Sequence, residues 1–219
     1  MHQKKINDYL SQLGEQVSKL YVDESIDIVI DTILDCYKKD SKIITTGMGK
    51  AGIAMQKFSA TLSSLGIPSV FLHAGEAMHG DLGLISKNDV LFVASTSGKT
   101  REILEISDLS KKIFPKIQII GITSHKDSKL RDKANVIIDM GHFQEIGDLG
   151  LAPTSSILMM LAITDTIAIL LSELIGLTPE DYYLRHHSGY LGQKANEISK
   201  TDKELIIIEE TDNINHNID

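Results

Sequence analysis

Tryptophan is absent from this 219-residue chain and other aromatics are scarce, so Ile, Leu, Val and Ala supply its apolar mass. That balance suits helices covering both faces of a parallel sheet, where strands are buried on two sides. A single cysteine, Cys36, excludes an intrachain disulfide, and the opening Met1-His2-Gln3-Lys4-Lys5 leads into no apolar stretch of the secretory kind. Both absences point to a reducing cytoplasm. Positive charge is also short: 22 Lys and Arg against 30 Asp and Glu leave a formal net charge of −8. That balance argues against nucleic acid as a partner, which needs a concentrated basic surface. An anionic ligand would have to be drawn by local groups. No apolar run is clean enough to make the chain a membrane protein. Ile157 to Ile175 comes nearest, but Thr164-Asp165-Thr166 and Ser172-Glu173 interrupt it, and it reads as a buried core helix. Internal repeats and low-complexity linkers are missing too. The length suits one domain, taken as residues 1–200, with a partly disordered tail over 201–219 that carries Leu205-Ile206-Ile207-Ile208 before a polar end.

What is present has the rhythm of an α/β fold. Apolar spacing predicts helices over Asp8 to Lys19 and Glu24 to Lys39. Strands are expected at Lys42 to Thr46, Ser69 to Leu72, Val90 to Ala94, Gln118 to Ile122 and Val136 to Ile138. Helical patterns at Ile53 to Leu65, Glu102 to Phe114 and Lys126 to Lys133 lie between them. A three-layer α/β/α sandwich on a mostly parallel five-stranded sheet follows. Beyond it come a loop from Gly141 to Pro153, a long helix through Ile175, and a short helix opened by Thr178-Pro179-Glu180-Asp181.

Ligands of open parallel sheets bind beyond the carboxyl ends of strands, so the loops there carry the functional information. Ser95-Thr96-Ser97-Gly98-Lys99-Thr100 joins hydroxyls, a glycine and the amides of a helix start, which makes a phosphate cradle. Its hydroxyls exceed what a helix cap needs. Gly47-x-Gly49-x-x-Gly52 after a strand fits a dinucleotide site in spacing and context, making a nicotinamide or flavin enzyme a rival. Against that, the second strand ends Leu72-His73-Ala74-Gly75 without the acidic residue that holds the ribose, and Lys50 suits a sugar phosphate. The loop His73 to Asp81 gathers two histidines, Glu76 and Asp81 without a recognised metal spacing, and no metal is assigned there. Read alone, Glu102 balances a helix dipole, Glu145 is undecided between cleft and solvent, and His186-His187 is a structural pair.

Taken together, four ordered segments resemble the sugar isomerase (SIS) domain family, and within it the arabinose 5-phosphate isomerases of 3-deoxy-manno-octulosonate (Kdo) synthesis. They are Thr46 to Gly52, Gly75 to Gly83, Ser95 to Gly98 and Gly150 to Ser155, within a resemblance covering about residues 40 to 195. The resemblance implies a flavodoxin-like sandwich of SIS type. It also implies active-site roles for Lys50, His79, Glu102, Glu145 and His186, which changes the reading of Glu102. A homotetramer is implied, with His186 entering a neighbouring subunit's cleft. Where the family reads His-Pro-Gly-Gly, this chain has His186-His187-Ser188-Gly189. The family's longer members continue into paired CBS regulatory domains, which this form is expected to lack.

The implied reaction interconverts ribulose 5-phosphate and arabinose 5-phosphate through an enediolate and needs no cofactor. Glu145 or Glu102 would move the carbon-bound proton, and His186 or His79 would serve hydroxyl protons or ring opening. Lys50 would polarise oxygens. Gly47, Gly49, Ser95, Thr96, Ser97 and Thr100 would hold the substrate and its phosphate. Alternatives are isomerisation of a hexulose or heptulose phosphate, and noncatalytic sensing of a sugar phosphate.

Overall fold

Five short apolar segments pair side by side, all parallel, in the order β2-β1-β3-β4-β5. They are β1 (Ile43–Gly47), β2 (Ser69–Phe71), β3 (Val90–Ala94), β4 (Gln118–Thr123) and β5 (Val136–Asp139), in a computed structural model that describes residues 1–201. The tail from Asp202 onward lies outside the described residues. Alternation along the strands sorts side chains into two cores. Ile43 and Phe92 face α2 (Ser25–Lys38), α3 (Gly49–Ser64) and α6 (Ser155–Leu174), whereas Ile44, Leu91 and Val93 face α4 (Ala74–Ala77) and α5 (Arg101–Ile113). Burial on both faces explains why the strands are nearly continuous in Ile and Val. Helix α1 (His2–Ser18) lies on α6, and α7 (Pro179–Arg185) opens with the capping box of Thr178 and Asp181. The chain is helical again over 190–201.

Several expectations shift on the fold. Helix α3 begins at Gly49 rather than Ile53, because Gly49 at φ +57° turns the chain directly from β1 into the helix. The expected helix from Lys126 to Lys133 contracts to a 3-10 turn, Lys129–Asp132. Arg131 pins that turn, donating from Nε to the His125 carbonyl at 2.9 Å and from Nη2 to Asp139 at 2.6 Å. The stretch after β2 is not all loop: buried Ala74 and Ala77 anchor the short α4. Helix α6 is long and apolar enough to cross a membrane, yet it packs on α3, α2 and α1. It is only partly the buried core helix its composition suggests, since Ile169, Leu170 and Leu174 are 53%, 41% and 53% exposed.

One buried carboxylate fixes the register where β1 and β3 begin. Asp89, 2% exposed, accepts from the Lys42 amide at 3.1 Å, the Ser86 amide at 2.7 Å and Lys42 Nζ at 2.7 Å. With its charge met by three donors, it holds the two central strands in step without an uncompensated buried ion.

Candidate active site

The order β2-β1-β3 makes the carboxyl ends of β1 and β3 the point where connections leave in opposite directions, α3 to one face and α5 to the other. Such a divergence opens a crevice. Its floor depends on close backbone approach, because a Cβ on Gly52 would come 2.6 Å from the Gly47 carbonyl oxygen. On the other wall, Gly98 at φ +60° lies so near Ser128 that a Cβ would meet its Oγ at 1.6 Å. These glycines place Lys50 and the 95–100 loop opposite one another.

The resulting cleft, about 320 Å³, brings Lys50, Ser95, Thr96, Ser97, Thr100 and Glu145 to one surface. Three helices present their N-termini to it, since Lys50 and Ala51 belong to the first turn of α3, Thr100 holds the position before α5 and Ser156 lies in the first turn of α6. Neither Met48 nor Thr100 caps its helix with its own side chain, so the first-turn amides of α3 and α5 stay available to an anion. Local dipoles and Lys50 thus oppose the chain's net negative charge.

The loop hydroxyls divide their tasks. Ser95, 3% exposed, accepts from the Gly98 amide at 3.0 Å and pairs with Thr100 Oγ1 at 2.8 Å, so it shapes the loop from within. The Thr96 carbonyl accepts from Thr123 Oγ1 at 3.0 Å and from the Ser124 amide and hydroxyl at 3.1 Å each, which locks the loop onto β4. Ser97 Oγ accepts from the Lys99 amide at 3.2 Å and stands at the cleft surface.

Glu145 closes the cleft from the loop before α6. Its Oε2 accepts from the Thr154 amide at 2.7 Å and the Thr154 hydroxyl at 3.1 Å, and the Ser156 amide lies 3.4 Å from each oxygen. Burial pushes its pKa up, but the donors of Thr154 and Ser156 outweigh that, and the carboxyl is held below its ordinary value. The Ser156 hydroxyl, buried and without a hydrogen-bond partner of ordinary geometry, lies close enough to add to this effect. A carboxylate at the N-terminus of α6 is ionised at neutral pH, ready to accept a proton.

Of the expected site residues, Gly47 and Gly49 shape the turn into α3 without lining the cleft, and three others lie apart from it within one chain. His79 is exposed beyond α4, its amide bonded to the Glu76 carbonyl at 2.8 Å. Glu102 is half-buried in the first turn of α5, next to the 95–100 loop but outside the cleft lining. His186 stacks on Tyr182 with ring centroids 4.0 Å apart, its Nδ1 3.0 Å from the Tyr182 carbonyl. The neighbouring Arg185 guanidinium covers Gly66, past the far end of α3. At 1.5 Å per residue, the run of α3 from Lys50 to its end at Ser64 spans about 21 Å.

The sequence reading overlooked two polar cleft residues, His125 and Ser156. His125 follows β4, so the rule that ligands meet loops after strands would have flagged it. Its Nδ1 lies 3.9 Å from Asp127, and the ion pair of Asp127 with Lys99 Nζ at 2.5 Å joins the 95–100 loop to the loop after β4. Thr96, His125 and Glu145 also line an adjoining hollow of about 830 Å³, so the cleft widens towards the 141–150 loop.

With this geometry in view, comparison with known proteins is specific. Residues 36–170 match the SIS domain family. The arabinose 5-phosphate isomerase KdsD of Francisella tularensis is 38% identical over 197 residues, covering 88% of this chain and 60% of that protein. The chain spans between 46% and 60% of the length of the first curated relatives it matches. A crystal structure of a Bacteroides fragilis protein, described as a candidate phosphosugar isomerase involved in capsule formation, superposes with a TM-score of 0.84 at 37% identity. It covers 87% of this chain and 100% of that one. An Escherichia coli CFT073 protein in complex with arabinose 5-phosphate superposes at 0.78 and 32% identity, covering 84% of this chain and 96% of that one.

Proposed function

This chain belongs to the SIS domain family, and on that premise we propose that it is an aldose–ketose isomerase interconverting ribulose 5-phosphate and arabinose 5-phosphate in the cytoplasm, supplying Kdo synthesis. The observation that carries the reading is the meeting of Lys50, the 95–100 loop and ionised Glu145 around one cleft at the β1/β3 divergence. Relatives named arabinose 5-phosphate isomerase, and the neighbour in complex with that sugar phosphate, support this choice of substrate.

In the proposed mechanism the phosphate sits on the 95–100 loop and the amides of α5, which fixes C1 and C2 against the opposite wall. Glu145 takes a proton from C1 of the ketose, and the C2 carbonyl becomes an enediolate oxygen stabilised by Lys50 and the α3 amides. The C1 hydroxyl proton passes to the C2 oxygen and Glu145 returns its proton to C2, which leaves the aldehyde at C1 and a hydroxyl at C2. Atoms and charge balance without an external oxidant. Glu102, outside the cleft lining, supports the 95–100 loop from α5 rather than acting as base, and His79 takes no step within this chain's own cleft. His186, at the far end of its own α3, serves the cleft of a neighbouring subunit in a homotetramer. The apolar residues left exposed on α1 and α6, among them Ile6, Leu10, Ile169 and Leu174, support such an assembly.

Incubation with ribulose 5-phosphate in deuterated water, followed by NMR without added cofactor, tests the reading. The expected result is arabinose 5-phosphate carrying deuterium at C2, with Glu145→Gln slower by about 10²–10⁴-fold. Near-wild-type turnover by that variant removes Glu145 as base. Absence of turnover on ribulose, hexulose and heptulose phosphates alike favours a sugar-phosphate sensor.

A further inference from the structure

We infer that helix α1 is a strap for the loop bearing Glu145, and that Gln16 is the positioning residue through which it acts. The inference rests on the proposed role of Glu145 and extends the machinery to a helix outside the matched residues 36–170. Helix α1 adds little to the core, because none of its residues is buried. Its polar contacts instead meet the segment between β5 and α6. Gln16 Nε2 donates to Ser155 Oγ at 3.0 Å, and Gln16 Oε1 accepts from the Gln144 amide at 2.8 Å. Lys5 Nζ reaches Asp148 at 3.2 Å.

The two bonds of Gln16 bracket Glu145. Gln144 immediately precedes it, and Ser155 stands between Thr154 and Ser156, whose amides point at its carboxylate. One side-chain amide therefore fixes both the backbone that carries the carboxylate and the helix end that receives it. The loop needs such a tie: it has neither helix nor strand from Met140 to Thr154, and a groove of about 740 Å³ separates much of it from α1. When Glu145 leaves Thr154 to take a substrate proton, the Gln16 bridge keeps loop and helix in register. Because an ångström of misplacement is costly in proton transfer, its loss should appear in turnover more than in substrate affinity.

Gln16→Leu keeps the bulk and removes both bonds, whereas Gln16→Glu keeps two oxygens that accept from the Gln144 amide and the Ser155 hydroxyl. In the isomerase assay, Gln16→Leu should lower kcat about tenfold or more with KM within about twofold, and Gln16→Glu should recover most of the loss. Wild-type kcat in Gln16→Leu, or a loss that Gln16→Glu does not restore, overturns the inference. Hydrogen exchange read by mass spectrometry judges the strap separately from the reaction. Exchange in Gln16→Leu should quicken in peptides from residues 142–156 and stay unchanged in those from β1 and β3. If the wild-type protein isomerises no ketose phosphate, the functional reading fails on its own, and exchange unchanged over 142–156 would then overturn the strap.

Discussion

In the proposed mechanism, Glu145 would serve the fold and the chemistry at once. Its carboxylate accepts donors at the start of α6, and those donors hold its pKa below the ordinary 4.5. A depressed carboxyl pKa stabilises the folded state fully above the unfolded value, and that contribution disappears as pH falls through the folded value. Glu145→Gln should therefore be less stable than wild type at neutral pH, with the gap closing below pH 4.5; urea midpoints of both proteins across that range give the measurement. A gap independent of pH would mean that the charge at this helix start contributes nothing. The same hydrogen bonds make Glu145 a weaker base, so stability and turnover pull against each other at one side chain.

Among elements, the sheet separates its structural end from its chemical end. Asp89 ties the beginnings of β1 and β3, while the glycine turn and phosphate loop leave from their other ends. Asp89→Asn weakens a site that satisfies two backbone amides and Lys42, and should cost about 1.5–3 kcal/mol in denaturant unfolding. Its kcat at temperatures where it stays folded should match wild type, because the paired strand from Val90 to Val93 lies between Asp89 and the cleft. A large kcat loss in a fully folded Asp89→Asn protein would show that strand register reaches the site after all. Elements of the active end were harder to read. The glycine fingerprint alone fitted a dinucleotide as well as a sugar phosphate, and His125 was missed because no motif surrounds it.

Across the whole molecule, the question is what covers the apolar side chains on α1, α6 and the last helical stretch. Leu10 is 60% exposed, Leu174 53%, Tyr190 75% and Leu191 56%. Light scattering should give a mass near four times that of the 24.1 kDa chain. Leu170→Glu, placing a charge on the exposed side of α6, should lower that mass and reduce activity together, as expected if His186 works across subunits. A monomeric wild-type protein with full turnover would remove both the tetramer and the shared site.

The order of amino acids was enough to establish the α/β class, the five strands and the cluster of polar loops at their carboxyl ends, because strand burial and glycine turns are local patterns that survive in one dimension. It also offered the 95–100 loop as a candidate phosphate cradle from its hydroxyls and glycine, and, through the resemblance, Lys50 and Glu145 as candidates that the fold brings to the same cleft. It misplaced the start of α3 and drew a helix where Arg131 holds a single turn, since those choices follow from a glycine's φ and from contacts distant in sequence. The packed fold was needed to show that α6 holds the Glu145 carboxyl below its ordinary pKa, that Gln16 reaches across more than a hundred residues to bond Gln144 and Ser155 on either side of it, and that His186 is outside the lining of its own cleft. Those are relations between elements, set by how the layers pack, and no spacing along the chain encodes them.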